Sequence, residues 1–226
     1  MTKMPSNFFS ASYWDDRYRQ NDTAWDMGQV SPPLQAYFEQ LKDSSISILI
    51  PGCGNSYEAA WLLQQGFSSI TLIDIAEQLV ARLREKFREY IRPPSTPADD
   101  QTIPSTPRSA MHPPLHLLAG DFFAHTGQYD LIIEQTFFCA LDPSLRQDYV
   151  AKMIELLKPG GKLVGLLFDR EFTGGPPFGG NAAEYRRLFE KRFSIRSLAP
   201  CYNSIRPRAG TELFFIVRKE PAVPAD

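Results

Sequence analysis

Three short stretches of the chain carry residues whose types and spacing could hold a nucleoside-like ligand. Ile46 to Ser56 (ISILIPGCGNS) is an apolar, β-branched run that ends in a Gly-x-Gly turn. Glycine at 52 and 54 lets backbone N–H groups and the start of a following helix approach whatever sits over the strand. Asp74 closes a second apolar run, SITLIDI, 22 residues after Gly52, where a carboxylate can accept both hydroxyls of an adenosine ribose. Gly120-Asp121-Phe122 follows a third run, and there a carboxylate can accept the adenine amino group while Phe122 packs beside the ring. The turn and Asp74 alone fit a nicotinamide dinucleotide as well as S-adenosylmethionine. Tyr57 separates the two, because a dinucleotide turn needs a small residue three places after its second glycine. The bulky ring disfavours a pyrophosphate.

These residues require strand ends to carry them, and the pattern supplies strands alternating with helices. Ile46 to Pro51 predicts a strand, Tyr57 to Gln65 a helix stopped by Gly66, Ser69 to Ile75 a strand, and Ala76 to Tyr90 an amphipathic helix. Strands follow at Leu115 to Ala119 and Tyr129 to Gln135, then a helix from Ser144 to Leu157 that stops at Lys158-Pro159-Gly160-Gly161. Lys162 to Asp169 predicts a buried strand and Ala182 to Lys191 a helix. Phe193 to Leu198 and Thr211 to Arg218 have no helical pattern between them and predict a terminal hairpin across Cys201 to Gly210. The expected fold is α/β, a doubly wound, mostly parallel seven-stranded sheet with a C-terminal antiparallel hairpin. Its ligands belong beyond the carboxyl ends of the strands, at the switch point. Asp74 is also placed to cap the helix from Ala76.

The 226 residues suit a single domain. From Arg92 to Pro114 the chain is crowded with proline, serine and threonine, a composition that packs no core and reads as an exposed, mobile insertion at 92–114. A net charge of -2 leaves no basic field to draw the protein onto nucleic acid. No run approaches the length of a membrane helix and no leader is evident, so neither a membrane nor export is expected. Cys53, Cys139 and Cys201 are odd in number and far apart, which implies no metal site and a reduced, cytoplasmic setting. Cys53 reads as a small residue in a tight turn and Cys139 as a buried apolar one. Nothing in the sequence marks a particular oligomeric state.

Taken in order, PGCGNSYEAAWLLQQGF, TLIDIAE, GDFF, YDLIIEQTFFCALDPSLR, LLKPGGKL and GGPPF resemble the thiopurine S-methyltransferase family of class I methyltransferases. The branch that methylates halide, thiocyanate and small thiols is the most similar. The resemblance runs from about Tyr13 to Arg218 and extends to YWDDRYRQNDTAWDMGQVSPPL. In the family the corresponding segment is an aromatic flap over the cofactor, here residues 1–30. It implies S-adenosylmethionine as cofactor, held by Trp14, Tyr18, Trp25, Gly52, Gly54, Asp74, Ile75, Asp121, Phe122 and Gln135, with a small-molecule methyl acceptor. Tyr18 stands where relatives often carry tryptophan, and Gln135 at a variable position. Phe138, Phe172, Phe178 and Arg206 are the candidates for the acceptor pocket, with Phe137 and Arg208 beside them. Aromatic faces attract a sulfonium through cation–π contact, and a thiolate or halide requires no general base, so no catalytic side chain is assigned. Two alternatives stand beside this reading. An NAD-dependent oxidoreductase keeps the Gly-x-Gly turn and Asp74 but leaves Tyr57 and the aromatic segment unexplained, and a non-catalytic binding module of the same fold would work through the insertion.

Overall fold

The structure, a computed structural model, describes residues 9–91 and 114–221. Apart from Pro114, the expected insertion at 92–114 lies outside the described residues. Seven strands form one sheet: β1 (Ile48–Pro51), β2 (Ile70–Asp74), β3 (Leu115–Ala119), β4 (Tyr129–Gln135), β5 (Leu157–Phe168), β6 (Ser194–Pro200) and β7 (Glu212–Arg218). Their order across the sheet is β3-β2-β1-β4-β5-β7-β6, and β7 runs antiparallel to both β5 and β6. The chain leaves β1 towards one edge and resumes at β4 on the other side of it. The carboxyl ends of β1 and β4 thus flank the switch point, where ligands of open α/β sheets bind.

Alternation along each strand splits the core in two, because successive side chains point to opposite faces. Ile48 and Ile50 of β1 join Leu34 and Phe38 of α2 (Pro32–Phe38), Leu62 of α3 (Tyr57–Gln64) and Leu79 and Leu83 of α4 (Glu77–Lys86) on one face. Leu49 between them joins Tyr149 and Met153 of α6 (Arg146–Leu156) and Tyr185 and Phe189 of α7 (Ala182–Phe189) on the other. Among the described residues no helix is long and apolar enough to cross a membrane.

Three details depart from the expected elements. The helix expected over Ala76 to Tyr90 ends at Lys86, where Phe87 turns into the core, and a short α5 (Arg88–Ile91) follows. Lys158 to Gly161 lies within β5 rather than before it, since Gly160 N–H bonds Lys219 C=O and Lys219 N–H bonds Gly161 C=O. The terminal hairpin forms as expected, with β7 between β5 and β6. In the N-terminal segment, α1 (Ala11–Arg19) and α2 were not anticipated. Ser10 caps α1 by accepting Tyr13 N–H, and Ser31-Pro32-Pro33 opens α2.

Candidate active site

The turn after β1 is built by three left-handed residues, Gly52, Gly54 and Ser56, with φ of 55°, 51° and 55°. Gly52 has a second requirement besides its dihedral: a Cβ there would stand 2.3 Å from Cδ2 of Phe137. Asp74 ends β2 beside this turn. Its Oδ2 accepts Gly54 N–H at 3.3 Å and its Oδ1 accepts Ala76 N–H at 3.0 Å. The residue at the N-cap of α4 is Ala76 itself, so the expected capping role of Asp74 is replaced by a local bond two residues on. Burial pushes the Asp74 carboxyl up to about 6, against the pull of its two N–H partners.

Above this turn opens a cavity of about 1370 Å³. All ten residues expected to hold the cofactor, Trp14, Tyr18, Trp25, Gly52, Gly54, Asp74, Ile75, Asp121, Phe122 and Gln135, line it. Asp121 accepts Phe123 N–H at 2.8 Å and starts a 3₁₀ turn that buries Phe122. Trp14 and Tyr18 on α1 meet Trp25 edge-on at 5.6 and 5.7 Å between centroids. Cations already sit on two of these rings, Arg17 over Trp25 at 5.0 Å and Arg82 over Tyr18 at 5.5 Å. Gln135 Oε1 is buried without a hydrogen-bond partner.

The acceptor-side candidates divide. Phe172 and Phe178 line the cavity. Phe138 does not; it is 1% exposed and packs edge-on against Tyr149 and Tyr185 in the core, while Phe137 takes the place at the cavity wall. Arg206 is exposed at the start of a 3₁₀ turn, and two residues on Arg208 is buried and lines the cavity. Arg208 pairs with Glu212 at 3.3 Å and donates to the Trp25 carbonyl at 2.7 Å, tying β7 to the aromatic segment.

Asp26 was not singled out from the sequence. Its carboxylate accepts from Asn55 Nδ2 and, at 3.3 Å, from the Tyr57 hydroxyl, so it stands at the amino end of α3. Glu58, in the first turn of that helix, is buried and accepts Ser31 N–H at 3.1 Å. A helix amino end ordinarily attracts anions, but here two carboxylates occupy it. With Asp74 nearby, the acids at the turn outnumber Lys86, whose Nζ donates to the Asn55 carbonyl at 2.6 Å, and this balance disfavours a pyrophosphate. Cys53 and Cys139 also line the cavity, but burial pushes both thiols up, so neither is a ready nucleophile.

Strand order, switch-point cavity and acidic β2 end together define the class I methyltransferase fold. Burkholderia thailandensis 1,6-didemethyltoxoflavin-N1-methyltransferase, solved with 1,6-didemethyltoxoflavin and S-adenosylhomocysteine, superposes with a TM-score of 0.68 over 97% of this chain and 92% of that one, at 17% identity. A likeness at that identity speaks for the fold. Sequence comparison is more specific. Residues 9–216 match the profile of the family described as Thiopurine S-methyltransferase (TPMT), and the chain belongs to that family. It is 30% identical to a probable thiol methyltransferase 2 of Arabidopsis thaliana, over 90% of this chain and 83% of that protein. It is also 30% identical to a thiopurine S-methyltransferase of Acinetobacter baylyi, over 82% and 86% respectively.

Proposed function

We propose that this chain is an S-adenosylmethionine-dependent methyltransferase whose acceptor is a small soft nucleophile: a thiol, a halide, thiocyanate or a thiopurine sulfur. The observation that carries the reading is the carboxylate of Asp74, bonded to the Gly54 turn at the switch point and facing a cavity ringed by acids and aromatic side chains. The orphaned Gln135 Oε1 and the acid-lined turn fit a ligand that brings N–H donors and positive charge. When bound, S-adenosylmethionine supplies an electrophilic methyl group on a sulfonium.

The chain's own residues then have separable tasks. Asp74 accepts the ribose hydroxyls, and Asp121 accepts the adenine amino group beside Phe122. Trp14, Tyr18 and Trp25 offer aromatic faces to positive charge, a contact of about 1 kcal/mol at a partly desolvated site. Phe172 and Phe178 wall the acceptor side and keep water from the nucleophile, so transfer depends on alignment rather than on proton removal. The three cysteines are buried and unpaired, which supports a reducing, cytoplasmic setting. Of the expected flap at 1–30, residues 1–8 lie outside the described residues, and 9–30 act as the flap within one domain.

The test is product detection with labelled S-adenosylmethionine over a panel of thiols, iodide, thiocyanate and thiopurines. Methylated product from at least one class is expected. Absence of product together with no calorimetric heat from S-adenosylmethionine or S-adenosylhomocysteine would sink the reading, and quenching by NADH instead would favour the oxidoreductase.

A further inference from the structure

Glu134 stands next to the last residue of β4, is 0% exposed and does not itself line the cavity. Its Oε1 accepts Phe137 N–H at 2.8 Å and Phe138 N–H at 2.9 Å, and its Oε2 accepts the Tyr149 hydroxyl of α6 at 2.8 Å. Burying a carboxyl is costly unless its oxygens are partnered, and here burial pushes it up to about 7 against those three donors. Two of the three donors, the N–H groups of Phe137 and Phe138, belong to the turn after β4. Thr136 has φ of 60°, a region a β-branched residue rarely enters. Beyond it the Phe137 ring lies on Gly52, close enough that no Cβ fits there, and 5.1 Å from the Phe122 ring.

We propose that Glu134 is a positioning residue for the reaction: it fixes the turn after β4 so that Phe137 presses on Gly52 and Phe122 and sets the shape of the cofactor side of the cavity. The choice of ligand rests on the methyltransferase reading. Glu134 acts through Phe137, and Tyr149 holds its second oxygen in place.

Calorimetric titration of S-adenosylhomocysteine into the wild type, Glu134→Leu, Glu134→Gln, Phe137→Ala and the Glu134→Leu/Phe137→Ala double variant tests this. Leucine strands two buried N–H groups, and the expected loss of affinity is about tenfold. Glutamine keeps an oxygen for both N–H groups and can donate to the Tyr149 oxygen, so it restores affinity to within about threefold of wild type. With Phe137 already removed, Glu134→Leu is expected to cost less than about twofold, because the ring through which it acts is gone. Should the leucine variant fail to fold, Tyr149→Phe replaces it in the same cycle, with a loss of about threefold that likewise shrinks in the Phe137→Ala background. Wild-type affinity in a folded leucine variant, no rescue by glutamine, or additive effects in the cycle each overturn the proposal. A wild-type protein that gives no heat overturns the methyltransferase reading instead, a distinct result.

Discussion

Replacing Asp74 with alanine removes an acceptor whose two oxygens already hold Ala76 N–H at 3.0 Å and Gly54 N–H at 3.3 Å. On the proposed reading the same carboxylate accepts two ribose hydroxyls. Hydrogen bonds to a charged group contribute about 1.5–3 kcal/mol each, so losing two at the lower figure costs about 3 kcal/mol, or about a hundredfold in Kd. The charge adds a pH signature. Burial holds the Asp74 carboxyl at about 6, and hydroxyl donors favour its ionised form. Affinity therefore rises with pH through about 6, and moving from pH 7 to pH 5 weakens wild-type binding about tenfold, as the ionised share falls to about one part in eleven. The sign for stability is opposite. A carboxyl raised above its unfolded value stabilises the ligand-free fold at low pH, and that contribution is lost as pH rises through about 6. Calorimetry with S-adenosylhomocysteine between pH 5 and pH 8 reads the affinity, and urea unfolding of the ligand-free protein over the same range reads the stability. An alanine variant that binds within about threefold of wild type, or keeps the wild-type pH dependence, would refute the assignment of Asp74 and the electrostatic argument with it.

Gly52→Ala forces a methyl group onto Phe137 at a residue with φ of 55°; the expected cost is about 2 kcal/mol or more, seen as a lower melting temperature and weaker cofactor binding. Arg208→Met leaves Glu212, 4% exposed, without its cation and the Trp25 carbonyl without its donor. A loss of about 3–5 kcal/mol in urea unfolding is expected, partly relieved by adding Glu212→Gln. Phe172→Ala removes an aromatic wall on the acceptor side; KM for the acceptor rises about tenfold with little change in S-adenosylhomocysteine affinity, measured by initial rates and calorimetry.

The strands and their carboxyl ends were legible because a buried parallel sheet writes itself as short apolar runs, and the turn chemistry at Gly52 and the acid at Asp74 follow those runs directly. The N-terminal helices were not. The sequence ASYWDDRYR of α1 mixes aromatic and charged residues without a clean apolar stripe, and its placement comes from distant partners: Asp15 accepts Gln78 N–H from α4, and Trp14 packs on Trp25. A local signal for α2 did exist in Ser31-Pro32-Pro33, a helix-start pattern. Choosing Phe137 over Phe138, or Arg208 over Arg206, was beyond the sequence for one physical reason. Neighbouring residues in an irregular turn face opposite ways, and the direction is set by single dihedrals and bonds. Thr136 at φ 60° with Glu134 beneath it turns Phe137 outwards, and the 3₁₀ turn at Arg206–Arg208 turns Arg208 inwards.

The Gly-x-Gly turn by itself marks a nucleotide-type site of no particular charge preference, and its helix amino end would draw a phosphate. What reverses that preference is supplied from outside the turn. Asp26 arrives from the segment before α2 and bonds both sides of the turn's last residue, through Asn55 and Tyr57. Glu58 is held in place by the backbone of Ser31. The same N-terminal segment brings Trp14, Tyr18 and Trp25 over the cavity. One stretch of chain thus brings the Asp26 carboxylate to the amino end of α3 and adds the aromatic faces that favour a sulfonium. Tyr57, which in the sequence only excluded a pyrophosphate by bulk, also donates to Asp26 and so helps to hold a carboxylate at the amino end of α3.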